Sequence, residues 1–195
     1  GVEITLEKRL PLGGGLGGGS SDAGTTLIAL NRLWQVNWTR TQLQQLALEL
    51  GADVPLFIFG QSAVGQGIGE QLAPLPLPPA WYVVLMPALS VATALVFQDP
   101  DLIRDSNVIT IPPFSVEMAR NDLEAVVCRQ FPEVARHLAW LRQFGAARMT
   151  GSGACVFAEF GTEAEARAVL SQLPANMRGV VAQGLDRHPL WQWCV

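Results

Sequence analysis

The residues of this sequence best suited to chemistry are glycines, because six of the chain's 19 fall within the seven positions 13–19. Two serines and an aspartate follow, and the full stretch reads Pro11-Leu12-Gly13-Gly14-Gly15-Leu16-Gly17-Gly18-Gly19-Ser20-Ser21-Asp22. Glycine has no side chain, so it lets the backbone come close to a bound group, although ordering it costs more entropy than ordering any other residue. We expect such a loop where the backbone itself contacts a ligand.

The segment after the glycines predicts a helix over Ser20–Trp34, with Ser20 or Ser21 as its N-cap. Its apolar face is predicted to consist of Ala23, Leu27, Leu30 and Trp34. The first N–H groups of a helix lack partners and lie at the positive end of its dipole, so this place binds anions, phosphate above all. The glycine run is therefore predicted to hold phosphate, with a flexible surface linker as the alternative.

Three other glycine-rich loops fit less well. A Walker A loop requires a lysine and then Ser or Thr after its last glycine, whereas Gly19 is followed by two serines. The dinucleotide fingerprint matches formally as Gly13-x-Gly15-x-x-Gly18. However, that motif needs a second strand that ends in an acidic residue, and here a second helix follows instead. The protein-kinase loop requires H-R-D and D-F-G downstream, and the sequence has neither. A dinucleotide-binding oxidoreductase stays open as a function from another class.

The order of the expected strands and helices around this loop predicts an α+β fold. Strands and helices alternate irregularly, and helices occur in adjacent pairs. Alternation and apolar runs predict strands over residues 2–7, 62–70, 81–86, 155–160 and 178–183. Helical spacing and capping boxes predict helices over 39–50, 93–98 and 122–131, and others from Pro132 and Thr162. Residues 99–113 should be loop. Four prolines between residues 73 and 80 indicate a linker, so the predicted domains are 1–76 and 77–195.

The composition excludes several classes of protein. The net charge is −4 and Lys/Arg residues form no cluster, which disfavours a nucleic-acid partner. The longest apolar runs are too short to cross a bilayer, so no membrane partner is expected. Cys128, Cys155 and Cys194 are too scattered for a disulfide framework or a zinc site, and His137 and His188 lack neighbours at metal-ligand spacing. These features predict a reduced, cytoplasmic protein.

Two further segments place the glycine run in a family. The run resembles the second motif of the GHMP kinases, and Met149-Thr150-Gly151-Ser152-Gly153-Ala154-Cys155-Val156-Phe157 resembles their third. The doubled glycine triplet and Gly51-Ala52-Asp53-Val54-Pro55 are similar to the branch whose acceptor is a cytidine diphosphate-linked methylerythritol. The resemblance, which runs through all 195 residues, implies a two-domain GHMP-kinase fold. It also implies transfer of a phosphate from ATP, with Mg²⁺, to the 2-hydroxyl of that small molecule in isoprenoid biosynthesis.

The resemblance implies a role for each motif. Asp53 would be the catalytic base that takes the proton of the acceptor hydroxyl, although its spacing alone favours an N-cap of the next segment. Ser20 or Ser21 would reach Mg²⁺, or only cap the helix. ATP would be held by Pro11, Leu12, Gly13, Gly14, Gly15, Leu16, Gly17, Gly18, Gly19, Ser20 and Ser21. The floor of a cleft between the domains, or else a tight turn, would be formed by Thr150, Gly151, Ser152 and Gly153.

The acceptor would meet a second set of residues. Thr93 and Phe97 fall where the resembled kinases contact their substrate, and Phe97 would stack on the cytosine ring. An ordinary core position is the alternative for Phe97. Ile68, in the turn at residues 67–70, is a weaker candidate for the same pocket as Asp53 and these two residues.

The sequence departs from the family at its front. The family carries a Pro-Ala-Lys-x-Asn motif whose lysine lies beside the reacting hydroxyl, and this sequence does not contain it. The resemblance therefore implies a first domain that is incomplete at its N-terminus, and a chain that needs the missing N-terminal segment for its full site and is inactive alone. A GHMP kinase for another small alcohol and a non-catalytic nucleotide-binding fragment remain open.

Overall fold

The computed structural model describes residues 1–106 and 120–193, and it divides the chain into two compact units. The helical unit consists of Gly17–Pro79 with Gly184–Val195, and the sheet unit consists of Gly1–Leu16 with Ala80–Gln183. The chain therefore passes from one unit to the other inside the glycine run, between Leu16 and Gly17. Cys194 and residues 107–113 of the predicted loop lie outside the described residues.

Among its described residues, the helical unit contains three α-helices and a hairpin. The helices are α1 (Gly18–Leu33), α2 (Arg40–Leu50) and α3 (Val54–Phe59), and the antiparallel hairpin is β1 (Ala63–Gln66) with β2 (Gln71–Pro74). The predicted capping box at the start of α2 is confirmed, since Thr39 and Gln42 each cap the other's backbone N–H. The core of this unit consists of Ile28, Leu43, Ala47, Val54 and Ile58.

Residues 184–193 return to the helical unit and close it. The His188 N–H donates to the Gly60 carbonyl oxygen at 2.8 Å, and a 3-10 turn follows at Trp191–Trp193. Arg40 donates to the carbonyl oxygens of Ile58 at 2.7 Å and Trp191 at 2.8 Å, and its guanidinium lies 3.8 Å from the Trp191 ring centroid. The His188 ring nitrogen Nδ1 itself accepts a hydrogen bond from the Leu190 N–H at 3.1 Å.

In the sheet unit, the described residues form a four-stranded antiparallel sheet with helices packed on it. The strands β3 (Trp81–Leu85), β4 (Ala147–Met149), β5 (Val156–Phe160) and β6 (Gly179–Gln183) lie in the order β4-β5-β3-β6. The helices are α4 (Thr93–Gln98), α5 (Glu124–Gln130), α6 (Pro132–Leu141) and α7 (Glu163–Leu170). The core between sheet and helices includes the fully buried Val83, Leu85, Val127, Leu141 and Val156. The mixture of helix and strand confirms the α+β prediction.

Two of the predicted strands are wrong. Residues 2–7 form no strand and are exposed, because an alternating pattern becomes a strand only when a neighbouring strand bonds its backbone, and none of the described residues does so. The predicted strand over 62–70 is only β1 and the turn of a hairpin. Gly67 and Gly69 adopt positive φ angles of 71° and 112°, so the chain reverses there.

The start of α1 and the face that it buries also differ from the prediction. The helix begins at Gly18 with Gly17 as N-cap, so Ser20 and Ser21 lie inside its first turn and neither is the N-cap. Its buried residues are Gly24, Ile28 and Asn31, whereas the predicted face contained Ala23, Leu27, Leu30 and Trp34. A Cβ at Gly24 would lie 2.9 Å from that of Phe57. This missing side chain lets α1 pack closely on α3, and a hydropathy pattern does not register it.

A buried carboxylate, Asp99, ties the end of α4 to α5 in the sheet unit. Its side chain is 6% exposed. Arg129 donates to both of its oxygens at 2.7 and 2.8 Å, and Gln130 and the Asp101 backbone N–H donate at 2.6 and 2.9 Å. These bonds, those from Arg129 above all, hold the pKa of the Asp99 carboxyl below its ordinary value.

We therefore expect acid to weaken the sheet unit through Asp99. Because the folded-state pKa lies below the unfolded value of about 3.9, this contribution to stability is complete above that value. It is lost as the pH falls through the folded pKa. Urea unfolding of the parent and of Asp99→Asn at a series of pH values should give free energies of unfolding that differ most near neutrality and converge in acid. A difference independent of pH would contradict the assignment.

Candidate functional site

The first half of the glycine run is bonded to the third glycine-rich segment within the sheet unit. The Cys155 N–H donates to the Gly14 carbonyl oxygen at 3.0 Å, and the Thr150 hydroxyl donates to the Gly15 carbonyl oxygen at 2.8 Å. The Thr150 N–H in turn donates to the Cys155 carbonyl oxygen at 3.0 Å. Two segments about 135 residues apart, both singled out in the sequence, are thus held together by backbone groups.

Glycine is required at this junction because the backbones approach too closely for a side chain. Gly15 has a φ of 73°, and a Cβ there would overlap the Thr150 carbonyl oxygen and lie 2.9 Å from that of Gly153. Gly151 has a φ of 52°, and a Cβ there would lie 3.2 Å from the Gly15 carbonyl oxygen. Residues 150–153 therefore form a turn before β5, which was the alternative to a cleft floor in the sequence analysis. That turn also fixes the backbone of the glycine run at Gly15.

The second half of the run forms the N-terminus of α1 in the helical unit. Gly17 adopts the left-handed conformation, with φ 64° and ψ 15°, and provides no side-chain cap. The Ser21 N–H is the first that reaches a helical acceptor here, at 2.8 Å from the Gly17 carbonyl oxygen, so the N–H groups of residues 18–20 have none within the helix. The first turn carries no acidic residue. It therefore offers N–H donors and a positive dipole end to an anion.

Asp53 lies between α2 and α3 with its carboxylate exposed. It occupies the N-cap position of α3, but its side chain makes no capping hydrogen bond, which disfavours the N-cap as the reason for an aspartate here. Phe57, one turn further along α3, packs against Gly17, where a Cβ would lie 2.8 Å from its ring. The helical unit thus places this carboxylate at the beginning of the same short helix that contacts the start of α1.

The turn that carries Ile68 lies close to the backbone of Ala52, the residue before Asp53. A Cβ on Gly69 would lie 3.8 Å from the carbonyl oxygen of Ala52, the residue before the aspartate. Ile68 is 72% exposed, and its N–H donates to a carboxylate oxygen of Glu70 at 2.8 Å. An exposed apolar side chain at the tip of a glycine turn is free to contact a ligand.

Thr93 and Phe97 lie one turn apart on α4, in the sheet unit. The Thr93 and Ser152 hydroxyl oxygens are 2.7 Å apart, so the start of α4 is hydrogen-bonded to the third glycine-rich segment. Phe97 is 55% exposed, so the alternative that it is an ordinary core residue is wrong. An exposed phenylalanine on a helix presents a flat apolar surface on which a planar ring can stack.

Sequence reasoning missed Asn121, which stands just before α5. Its amide donates to the carbonyl oxygens of Met149 at 3.0 Å and Gly151 at 2.7 Å, one on each side of Thr150. Its own side-chain oxygen accepts from the Leu123 N–H at 3.0 Å. An asparagine before a helix is a familiar turn signal, but nothing local indicates that its partners lie about 30 residues downstream.

The thiol at this junction, that of Cys155, is a buried packing residue. Burial raises the pKa of the Cys155 thiol to about 11, so the group is neutral near pH 7 and packs beneath Gly14 as a small apolar side chain. Within residues 1–106 and 120–193, no three His, Cys, Asp or Glu side chains are grouped so that they could hold a metal ion. No helix in the described part of the chain is long and apolar enough to cross a membrane.

Comparison with known proteins finds the same family at both ends of the chain. Residues 1–61 match the family model described as the GHMP kinases N terminal domain, and residues 107–179 match that of the GHMP kinases C terminal. Neither match reaches the boundary that the sequence predicts at residues 76 and 77, which stays a prediction.

Curated relatives match along nearly the whole chain. The 4-diphosphocytidyl-2-C-methyl-D-erythritol kinase of Nitrosospira multiformis is 63% identical over 193 residues, covering 97% of this chain and 66% of the relative. The enzyme of the same name from Thiobacillus denitrificans is 61% identical over 193 residues, covering 99% of this chain and 69% of its own length. The chain thus spans about two thirds of the length of these relatives.

Solved structures agree with these matches. A crystal structure of 4-(cytidine 5'-diphospho)-2C-methyl-D-erythritol kinase superposes with a TM-score of 0.75 at 36% identity, covering 91% of this chain and 68% of that one. A homoserine kinase from Cytophaga hutchinsonii superposes with a TM-score of 0.61 at 14% identity, covering 93% of this chain and 69% of that one. At that identity the second likeness shows the fold alone.

Proposed function

Because the chain belongs to the 4-diphosphocytidyl-2-C-methyl-D-erythritol kinases of the GHMP superfamily, we propose that it phosphorylates the 2-hydroxyl of 4-diphosphocytidyl-2-C-methyl-D-erythritol. ATP supplies the γ-phosphoryl group, and the products are the 2-phosphate and ADP. The observation that carries this proposal is the glycine run itself. It is hydrogen-bonded to the third motif at Gly15 and leads directly into the N-terminus of α1, which has no side-chain cap.

The residues of the run suit the phosphates of ATP. The N–H groups from Gly14 to Ser21 would hold the β- and γ-phosphates, since those of the first turn of α1 have no acceptor within the helix. A Cβ built on Gly19 would have no heavy atom within 4 Å, so a ligand has room at the start of α1. The absence of acidic residues from this turn removes the repulsion that a carboxylate would exert on a phosphate.

Mg²⁺ would be held mainly by the phosphates and water. This ion usually takes only one or two protein ligands at nucleotide sites, so a site with few carboxylates suits it. Ser20 lies in the first turn of α1, where its hydroxyl would be the protein ligand. The ion would neutralise the charge that develops on the transferred group.

Asp53 would act as the general base. Its carboxylate would orient the 2-hydroxyl and accept its proton while the oxygen of that hydroxyl forms a bond to the γ-phosphorus. The bond between that phosphorus and the oxygen bridging to the β-phosphate breaks, and ADP leaves with the electron pair. Support for this role comes from the exposure of the carboxylate and from its lack of a capping hydrogen bond.

The cytidine end of the acceptor would stack on Phe97. We expect Phe97→Ala to raise the KM for the cytidine-containing acceptor roughly tenfold or more, because stacking of a base on an aromatic ring contributes about 1–3 kcal/mol. The KM for ATP should stay unchanged in steady-state assays. Leu95→Ala is the matched control, since Leu95 is a similarly exposed apolar residue on the same helix. An equal KM increase in both variants would remove Phe97 from the acceptor site.

Release of ADP with three different acceptors tests the proposed function. The complete gene product should release ADP rapidly with 4-diphosphocytidyl-2-C-methyl-D-erythritol and slowly or not at all with homoserine or mevalonate. Turnover with mevalonate or homoserine alone would overturn the substrate. Tight binding of NADH without binding of ATP would contradict the assignment of the protein as a kinase and favour a dinucleotide-binding oxidoreductase.

We further propose that the protein acts in the cytoplasm. Cys128 and Cys155 are both free thiols, as is usual in reducing compartments.

A further inference from the structure

The side chain of Asn121 fixes the backbone of the third motif from the side of α5. Its amide nitrogen donates to the carbonyl oxygens of Met149 and Gly151, which flank Thr150. Its oxygen accepts from the Leu123 N–H, so a flip that exchanges the amide nitrogen and oxygen would lose all three hydrogen bonds. A carboxylate of Glu124 adds a second connection by accepting from the Met149 N–H at 2.9 Å.

The segment that Asn121 fixes is the one that holds the phosphate loop. Thr150, between the two bonded carbonyls, donates its hydroxyl to the Gly15 carbonyl oxygen at 2.8 Å. No free space remains at this contact, because a Cβ on Gly15 would overlap the Thr150 carbonyl oxygen. A shift of the Thr150 backbone would therefore move or release Gly15, and with it the backbone N–H groups of the loop.

We propose that Asn121 is a positioning residue for the ATP-binding loop, acting through Thr150 without touching the nucleotide. The position needs two N–H donors on one atom and an acceptor on the other, which asparagine provides. Aspartate has the same shape but would set an oxygen against two carbonyl oxygens. This inference rests on the proposed function for the identity of the ligand.

The test is ATP affinity and kinetics in the complete gene product carrying Asn121→Asp. We expect the Kd and KM for ATP to rise roughly tenfold, because two donated hydrogen bonds are replaced by repulsion. The KM for the cytidine-containing acceptor should stay within twofold. A purely structural role would lower the melting temperature and leave the ATP affinity of the folded protein unchanged, which would overturn the proposal.

A matched control makes the same chemical change elsewhere. Asn37 is exposed, and its amide donates to the Gln35 carbonyl oxygen at 2.9 Å. Asn37→Asp should leave the ATP affinity at the parent value. An equal loss of affinity in both variants would show that the effect comes from the added charge, and it would overturn the role of Asn121.

A second pair of variants keeps the proposal testable if Asn121→Asp does not fold. Thr150→Val removes the donor to the Gly15 carbonyl and should weaken ATP binding as Asn121→Asp does, whereas Thr150→Ser keeps the hydroxyl and should restore it. Unchanged ATP affinity in Thr150→Val would overturn the proposal that Asn121 acts on the loop through Thr150. If the parent protein itself binds no ATP, the proposed function fails, and that outcome is distinct from a parent that binds ATP with variants that bind it equally well.

Discussion

Asp53→Asn should lower kcat by about two to four orders of magnitude and leave the KM for ATP nearly unchanged. An amide has the shape of the carboxylate but cannot accept the proton of the 2-hydroxyl. The side chain is exposed and makes no capping hydrogen bond to α3, so the substitution should leave the melting temperature at the parent value. Steady-state kinetics with thermal unfolding on the same samples measure both quantities.

Asp186→Asn is a suitable control for that variant. Asp186 is another exposed carboxylate of the helical unit, and its loss should leave kcat unchanged. If Asp53→Asn lowers kcat less than tenfold, or no more than Asp186→Asn does, another residue must serve as the base.

Gly15→Ala should weaken ATP binding roughly tenfold to a hundredfold, the cost expected for one to three kcal/mol of backbone strain. The added methyl group would overlap the Thr150 carbonyl oxygen, and alanine disfavours the φ of 73° found there. The two atoms that crowd this methyl group are the carbonyl oxygens of Thr150 and Gly153. Because both belong to the backbone, no side-chain rotation relieves the overlap. Calorimetric titration of the complete gene product with ATP measures the effect.

Gly145→Ala provides the comparison within the same unit. A Cβ at Gly145 would meet only the Phe160 ring, at 4.0 Å, and the residue has no positive φ. We expect parent affinity for ATP in this variant. Parent affinity in Gly15→Ala as well would mean that the contact between the loop and the third motif is not needed for nucleotide binding.

The features that could be predicted from the sequence depend on neighbours a few residues apart. Both capping boxes, at Thr39 with Gln42 and at Thr162 with Glu165, join residues three positions apart and are present as predicted. Helix α4 has the predicted bounds, and α6 begins at Pro132 as expected. The glycine run was recognisable because its composition matches a family motif, which also supplied the expected roles of Asp53 and Phe97.

The features that escaped prediction depend on distant partners or on the absence of a side chain. Residues 2–7 have a strand pattern, but a strand forms only against a partner that a local pattern cannot reveal. The buried face of α1 is set by Gly24, whose contribution to packing is a missing Cβ, and its N-cap is a glycine at positive φ where serine was expected. Asn121 was missed because its carbonyl partners lie 28 and 30 residues away.

Phosphorus NMR of the reaction products tests the proposed phosphoryl transfer most directly. The complete gene product is incubated with ATP, Mg²⁺ and 4-diphosphocytidyl-2-C-methyl-D-erythritol. The spectrum should show one new phosphate monoester, with phosphorus–carbon coupling to carbon 2 of the acceptor. Its amount should equal that of the ADP formed. Release of ADP with inorganic phosphate alone, or a phosphate on another hydroxyl of the acceptor, would contradict it.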